Sequence, residues 1–170
     1  IEKEGFESVY RYYLLPFLKR IGILWIVNTI SPAQEHMISN LIRQKLIVAI
    51  DGLPASNNDH VDAVLFTPSE QYHELGLLYY CYALRKKGEN VIYLGVDVPV
   101  DALLKTIHDT HPKKLVLSMV TGSSETETQA YLRHLSEEAD LPIYLGGAHV
   151  ESIPLPNAEK LFYINKLITV

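Results

Sequence analysis

Gln71-Tyr72-His73-Glu74-Leu75-Gly76 sets an imidazole just past a short apolar run, with a glycine three positions later. Neutral imidazole is a common metal ligand, and a hydrogen bond to its second ring nitrogen fixes its tautomer and direction. Gln71 offers a carbonyl for that purpose, and Glu70 and Glu74 are nearby alternatives. Only one obvious ligand comes from this stretch, which disfavours a zinc ion held by protein alone. A metal inside a cofactor that brings its own equatorial ligands needs just one. The stretch has neither G-x-G-x-x-G nor G-x-x-x-x-G-K-[ST], so a phosphate cradle is disfavoured. Two later places offer related chemistry: Ser118 in Ser118-Met119-Val120, and the pair Gly146-Gly147. Glycine lets a ligand approach the backbone where a side chain would block it. Taken alone, a glycine pair more often simply turns the chain.

These residues act together only if the fold brings them to one edge, and residues 58–170 have the rhythm to do so. Asp62-Ala-Val-Leu-Phe-Thr-Pro68 is a nearly continuous apolar run, the pattern of a strand buried on both faces. A helical segment over 74–87 follows and ends at Gly88. Strand and helix then alternate: a strand near 90–95 with a helix near 99–110, a strand near 114–120 with a helix near 125–138, a strand near 142–147, and a final strand in Leu161-Phe-Tyr-Ile164. That order predicts a parallel sheet with helices on both faces, in the flavodoxin-like order 2-1-3-4-5. Ligands in such sheets bind beyond the carboxyl ends of the strands, where the strand order switches. His73, Ser118 and the glycine pair all fall at such ends.

Residues 1–57 read differently. Phe6, Val9, Tyr10, Tyr13, Leu14, Phe17, Leu18 and Ile21 form the stripe of an amphipathic helix that Pro16 is expected to bend. Ser31, Pro32 and Gln34 carry a helix-start signal, and Met37, Ile38, Leu41, Ile42, Leu46 and Ile50 repeat on one face after it. Two helices cannot bury both stripes well, so further helices are expected upstream or on another chain. Residues 51–60 are rich in turn formers and read as a linker.

Composition narrows the function classes. The chain has 170 residues, 48% hydrophobic and 21% charged, enough for one sizeable core or two small ones. No apolar stretch approaches the length needed to span a bilayer, and the start has neither a basic front nor a cleavage site, so a cytoplasmic protein without membrane contact is expected. The net charge of −5 and the absence of a Lys/Arg block argue against these residues gripping nucleic acid by themselves. The single Cys81 lies in an apolar stretch and is expected to be a packing residue.

From Ala63 to about Val150 the chain resembles cobalamin-binding domains, whose signature is Asp/Glu-x-His-x-x-Gly, then Ser-x-Leu/Val, then Gly-Gly. Here these are Gln71, His73 and Gly76, then Ser118 and Val120, then Gly146 and Gly147, in the same order. The resemblance implies a Rossmann-like domain in which His73 is the lower axial ligand of cobalt, replacing the benzimidazole tail, which inserts near Ser118 and the glycine pair. Trp25, nine residues, then Glu35-His36 resembles the Trp-x9-Glu-His motif of MerR-family light-responsive regulators of the CarH/LitR type. In that family the motif lies in a four-helix bundle that caps the upper face of the corrin, around the 5′-deoxyadenosyl group, so residues 1–57 would be part of such a cap. An indole can exclude water there, while Glu and His can hydrogen-bond ribose hydroxyls or adenine edges. The plainer alternative is a core tryptophan with a solvated Glu and His.

The resemblance implies a sensor region, not an enzyme. It would bind adenosylcobalamin, or methylcobalamin, form a homodimer or tetramer, and reach DNA through a helix-turn-helix expected upstream of Ile1. Two departures bear on this. Gln71 stands where the family has an acid, so the imidazole should be held less strongly. Ile26 stands where the light-responsive members have the histidine that takes cobalt after illumination, so light sensing is a weaker expectation than cobalamin binding. Two rivals stay open: a corrinoid methyl carrier of a methyltransferase system, and a cofactor-free interaction module. His149 is a further candidate for the tail groove, and Thr121, Ser123 and Ser124 either contact the tail or start the next helix. His60, His108, His111 and His134 are expected on the surface.

Overall fold

The computed structural model describes residues 5–122, 124–156 and 159–168. The chain forms two compact units, one reaching Gly52 and the other beginning at Leu53.

In the first unit, α1 (Phe6–Val9), a π turn (Tyr10–Leu14) and α2 (Leu15–Ile26) follow one another without a break. The π turn directly precedes Pro16, where the sequence predicts a disturbance. Proline has no N–H to give to the carbonyl four residues back and its ring crowds that carbonyl, so the chain widens locally. Helix α3 (Pro32–Asp51) starts as its signal predicts: the Gln34 N–H donates to Ser31 Oγ at 3.3 Å, and the Ser31 N–H donates to Gln34 Oε1 at 2.8 Å. Phe6, Tyr10, Ile21, Ile42 and Leu46 are buried. Tyr13, Phe17, Met37 and Leu41 belong to the same apolar stripes yet stay exposed. Two helices offer each other too little surface to bury both stripes.

The second unit carries β1 (Ala63–Pro68), β2 (Val91–Val98), β3 (Leu115–Ser118), β4 (Ile143–Gly146) and β5 (Leu161–Tyr163). All neighbours pair in parallel, in the order β2-β1-β3-β4-β5, as the alternating rhythm predicts. Every residue of β1 is buried, which accounts for its continuous apolar run. The connections contain α4 (Leu75–Lys86), α5 (Val100–Thr110), α6 (Glu125–Ala139) and the short α7 (Ala148–Glu151). Helix α4 is buried from Leu77 through Leu84, Cys81 included, so it is apolar on all sides. Burial raises the Cys81 thiol above its ordinary pKa, as suits a packing residue. Phe66, Leu103, Leu117, Leu132 and Leu145 anchor the core on the other face. Among the described residues, no helix is long and apolar enough to cross a membrane.

One feature at each end of the sheet was not predicted. At the carboxyl end, β2 continues past the expected Gly95 to Val98, and its register with β1 shifts around Phe66. Gly95 (φ 85°) and Asp97 (φ 57°) take left-handed conformations there, which bends the strand end toward the β1 loop. At the amino end, the buried Asp62 carboxylate accepts from Asn58 Nδ2 at 2.7 Å, the Asn90 N–H at 2.9 Å and Lys113 Nζ at 2.9 Å, and lies 2.8 Å from His60 Nε2. Desolvation pushes its pKa up, but these partners, led by the Asn90 N–H, outweigh it and hold the carboxyl well below the usual carboxylate range. The folded-state pKa is therefore the lower one. Its contribution to stability is present above the unfolded value near 4 and is lost as the pH falls through the folded value. In urea unfolding at neutral pH, Asp62→Asn is expected to cost roughly 1–3 kcal/mol, and the variant should lose less stability than the parent on acidification.

Candidate functional site

The loop after β1 is built to hold one side chain out. Glu70 takes a left-handed φ of 66°, and its N–H donates to Asp97 Oδ1 at 2.7 Å. The Gln71 carbonyl accepts from Thr67 Oγ1 at 2.5 Å and from the Asp97 N–H at 3.3 Å. The Asp97 N–H also reaches Thr67 Oγ1 at 3.1 Å. The bent end of β2 and the end of β1 thus grip the loop from both sides. Gln71 faces in and is buried, whereas Tyr72 and His73 are exposed. His73 stands just ahead of α4, beyond the carboxyl end of β1, where the strand order switches to β3. No hydrogen bond among the described residues uses its ring.

The side chain expected to orient that ring is turned elsewhere. Gln71 Oε1 accepts from Thr121 Oγ1 at 3.3 Å, tying the β1 loop to the loop after β3. Of the alternatives, Glu74 accepts from the Tyr93 hydroxyl on β2 at 2.6 Å. Glu70 is exposed.

Gly76, Ser118 and Gly146 come together around Tyr80. A Cβ on Gly76 would lie 3.6 Å from Ser118 Oγ and 3.9 Å from the Tyr80 hydroxyl. One on Gly146 would overlap the Tyr80 phenol itself. Ser118 is 1% exposed, and its Oγ is buried with no hydrogen-bond partner among the described residues. An orphaned buried hydroxyl costs about 1–3 kcal/mol, so its retention needs an explanation such as a ligand group that completes it. Gly147 has φ 103°, and a Cβ there would overlap the Met119 carbonyl. That carbonyl accepts from the His149 N–H at 3.2 Å, while the Met119 N–H donates to Gly146 at 2.9 Å. Val120 follows at the surface, 36% exposed.

Tyr80 itself was missed from the sequence, where it is one of several aromatics in Leu-Leu-Tyr-Tyr-Cys-Tyr. Its spacing was the available signal: four residues after Gly76 puts it on the same helix face as that glycine. Burial pushes its phenol far above the ordinary tyrosine pKa, with Glu151 and Tyr79 adding to the effect, so it stays a neutral hydroxyl.

The secondary candidates separate. His149 Nε2 lies 2.8 Å from Thr128 Oγ1, and its ring fills the space beside Gly122. It therefore fastens α7 to α6 and the loop after β3. Ser124 caps α6, accepting from the Glu127 N–H at 3.3 Å, whereas Thr121 holds Gln71. Ser123 lies outside the described residues. His60, His108, His111 and His134 are exposed, as expected. Among the described residues, no three His, Cys, Asp or Glu side chains gather as a metal site, so the protein alone offers no ligand cage.

In the first unit, Trp25 is the next-to-last residue of α2, and Glu35 and His36 lie in the first turn of α3. Trp25 is 50% exposed beside exposed Ile26 and Val27. Glu35 accepts from Ser39 Oγ at 2.5 Å and pairs with His36 Nδ1 at 3.0 Å. The carboxylate is thereby fixed, while the imidazole is left largely in solvent.

Comparison with known proteins agrees with this geometry. A family profile described as a B12 binding domain matches residues 61–160, and a second profile with that description matches residues 1–49. The HTH-type transcriptional repressor CarH of Myxococcus xanthus is 32% identical over 141 residues, which cover 82% of this chain and 46% of that protein. The HTH-type transcriptional repressor CarA of the same organism is 35% identical over 137 residues, covering 79% of this chain and 45% of that protein. The chain thus spans about half the length of the curated relatives it matches. The structure of the Methanosarcina barkeri monomethylamine corrinoid protein superposes with a TM-score of 0.71 at 20% identity, covering 92% of this chain and 77% of that one. At that identity the likeness concerns the fold.

Proposed function

Because the chain belongs to the B12-binding domain family, we propose that it is the cobalamin-binding sensor region of a transcription regulator, cytoplasmic and not itself an enzyme. The observation that carries this reading is the exposed imidazole of His73 at the strand-order switch, which no hydrogen bond among the described residues uses. A bound cobalamin would supply a cobalt that needs one ligand from the protein, which His73 would provide. The donor set at this strand end fits that group: one exposed histidine, and no protein-only metal cage among the described residues.

Each residue then has a task. His73 would hold the cobalt, on a loop fixed by the Thr67 hydroxyl, the Asp97 carboxylate and N–H, and the Gln71 carbonyl. Ser118 donates to or accepts from the inserted tail, and Gly76, Val120, Gly146 and Gly147 leave room for it. Trp25, Glu35 and His36 would serve the adenosyl group, the indole by excluding water and the polar pair by hydrogen bonding. The family resemblance is what supports this assignment of the first unit. Adenosylcobalamin is the favoured form, with methylcobalamin second.

The signal passes by linkage. A cofactor that binds one assembly state better than another shifts the population toward it, and with it the occupancy of an operator contacted by a helix-turn-helix elsewhere in the protein. Homodimers or tetramers are the expected states. Exposed Tyr13, Phe17, Met37 and Leu41 support assembly because they leave apolar surface to cover.

Adding adenosylcobalamin in the dark and then illuminating the sample, while recording absorption and molecular mass, tests this proposal. Retention of colour on the protein with a mass change supports it. A protein that stays colourless in excess cobalamin refutes it in favour of the cofactor-free module. Tighter binding of methylcobalamin, with methyl transfer to a partner enzyme, favours the carrier instead. With Ile26 after Trp25, light is expected to change the spectrum without yielding a second histidine ligand to cobalt. A stable bis-histidine spectrum after green light, lost in His36→Ala, would contradict this.

Gln71 supplies a further test. Gln71→Asp, which restores an acid at the family's position, is expected to tighten cobalamin binding on the order of tenfold by making His73 the better donor. Unchanged affinity would mean that the side chain at 71 stays turned toward Thr121 and does not reach the His73 ring.

A further inference from the structure

We infer that Tyr80 occupies the space the nucleotide tail must enter, and thereby sets which corrinoids the domain accepts. This rests on the cobalamin reading above. Three of the positions assigned to the tail converge on this one side chain: its hydroxyl and the adjoining ring edge fill the space above Gly146, and the hydroxyl and Ser118 Oγ both border Gly76. The residue is 6% exposed, so the ring sits inside the domain rather than over its rim. No hydrogen bond among the described residues holds its hydroxyl, and Ser118 Oγ close by is also unpartnered. The buried Ser118 hydroxyl, without a partner among the described residues, is the polar group that an inserted ligand would complete. The tail gains that lining only when the Tyr80 side chain rotates away.

The consequence is selective. A corrinoid with a full nucleotide tail binds only the fraction of molecules in which Tyr80 is displaced, and its apparent affinity falls by that fraction. Cobinamide, a corrin without the tail, can meet His73 while Tyr80 stays in place. The hydroxyl and the ring edge both occupy that space, and the ring edge still blocks it when the hydroxyl alone is removed.

The test is a titration of the purified chain and two variants with cobalamin and cobinamide, followed by absorption. Tyr80→Ala should tighten cobalamin about tenfold or more, while cobinamide changes less than about twofold. Tyr80→Phe should match the parent for both. Because Tyr80→Ala leaves a cavity, stopped-flow mixing of the unaltered protein provides a second measurement. Its cobalamin association rate should level off with concentration, whereas the cobinamide rate should keep rising. Equal effects of Tyr80→Ala on both ligands, weaker cobalamin binding in Tyr80→Phe, or a cobalamin rate that never levels off would overturn the inference. Failure of all three proteins to bind either corrinoid would instead bring down the cobalamin reading, and this inference with it.

Discussion

His73→Ala is expected to weaken cobalamin binding on the order of 100-fold and to remove the spectrum of imidazole-ligated cobalt. The magnitude follows from losing a first ligand, since even the groups that merely orient such ligands are worth 10- to 100-fold. The fold should survive, because His73 is exposed and makes no hydrogen bond among the described residues. Thermal unfolding of the cofactor-free variant should therefore match the parent. That contrast matters: a binding loss without a stability loss assigns the residue to the ligand. Added imidazole should partly restore the ligated spectrum in the variant. A full-strength imidazole-ligated spectrum in His73→Ala without additive would show that another group holds the cobalt.

Gly147→Ala is expected to act in the opposite manner, through the fold. Gly147 has φ 103°, which L side chains rarely adopt, and its missing Cβ is the space taken by the Met119 carbonyl. That carbonyl is fixed by the His149 N–H at 3.2 Å and cannot move without disturbing α7. Strain and displaced backbone together should cost roughly 3 kcal/mol in chemical unfolding. The neighbouring Gly146→Ala should cost less, because the Cβ meets a side chain, Tyr80, that can rotate. Equal stability losses for the two variants would contradict the distinction drawn between backbone and side-chain crowding.

Much of this architecture was legible in the chain because it follows from local rules. The Ser31–Gln34 capping box needs only neighbours in sequence, and it formed as read. The buried strands announced themselves by continuous apolar runs, and their alternation with helices predicted the order of the sheet. His73 and the glycines stood out because strand ends in such sheets are where ligands bind. What stayed hidden depends on partners distant in the chain. Gln71 was read as the support of His73, yet its amide oxygen meets Thr121, a residue fifty positions away. The hold of Asp97 on the loop comes from left-handed residues in β2 that no hydrophobic pattern reveals. Tyr80 looks like any core aromatic until β3 and β4 bring Ser118 and Gly146 against it. The Asp62 cluster likewise joins Asn58, Asn90 and Lys113, which only the folded sheet assembles.

The central claim, that His73 is the lower ligand of a bound corrin, is tested most directly by electron paramagnetic resonance of the reduced, cobalt(II) form bound to protein whose histidines carry nitrogen-15. The unpaired electron couples to the axial nitrogen, so the splitting of the cobalt lines reports that nucleus. Ordinary nitrogen, with spin 1, gives triplets, and nitrogen-15, with spin one-half, gives doublets. The account predicts doublets with the labelled protein, triplets with the unlabelled protein, and loss of the doublets in labelled His73→Ala. Triplets from the labelled parent would mean that the cofactor's own unlabelled base still holds the cobalt, contradicting the role assigned to His73.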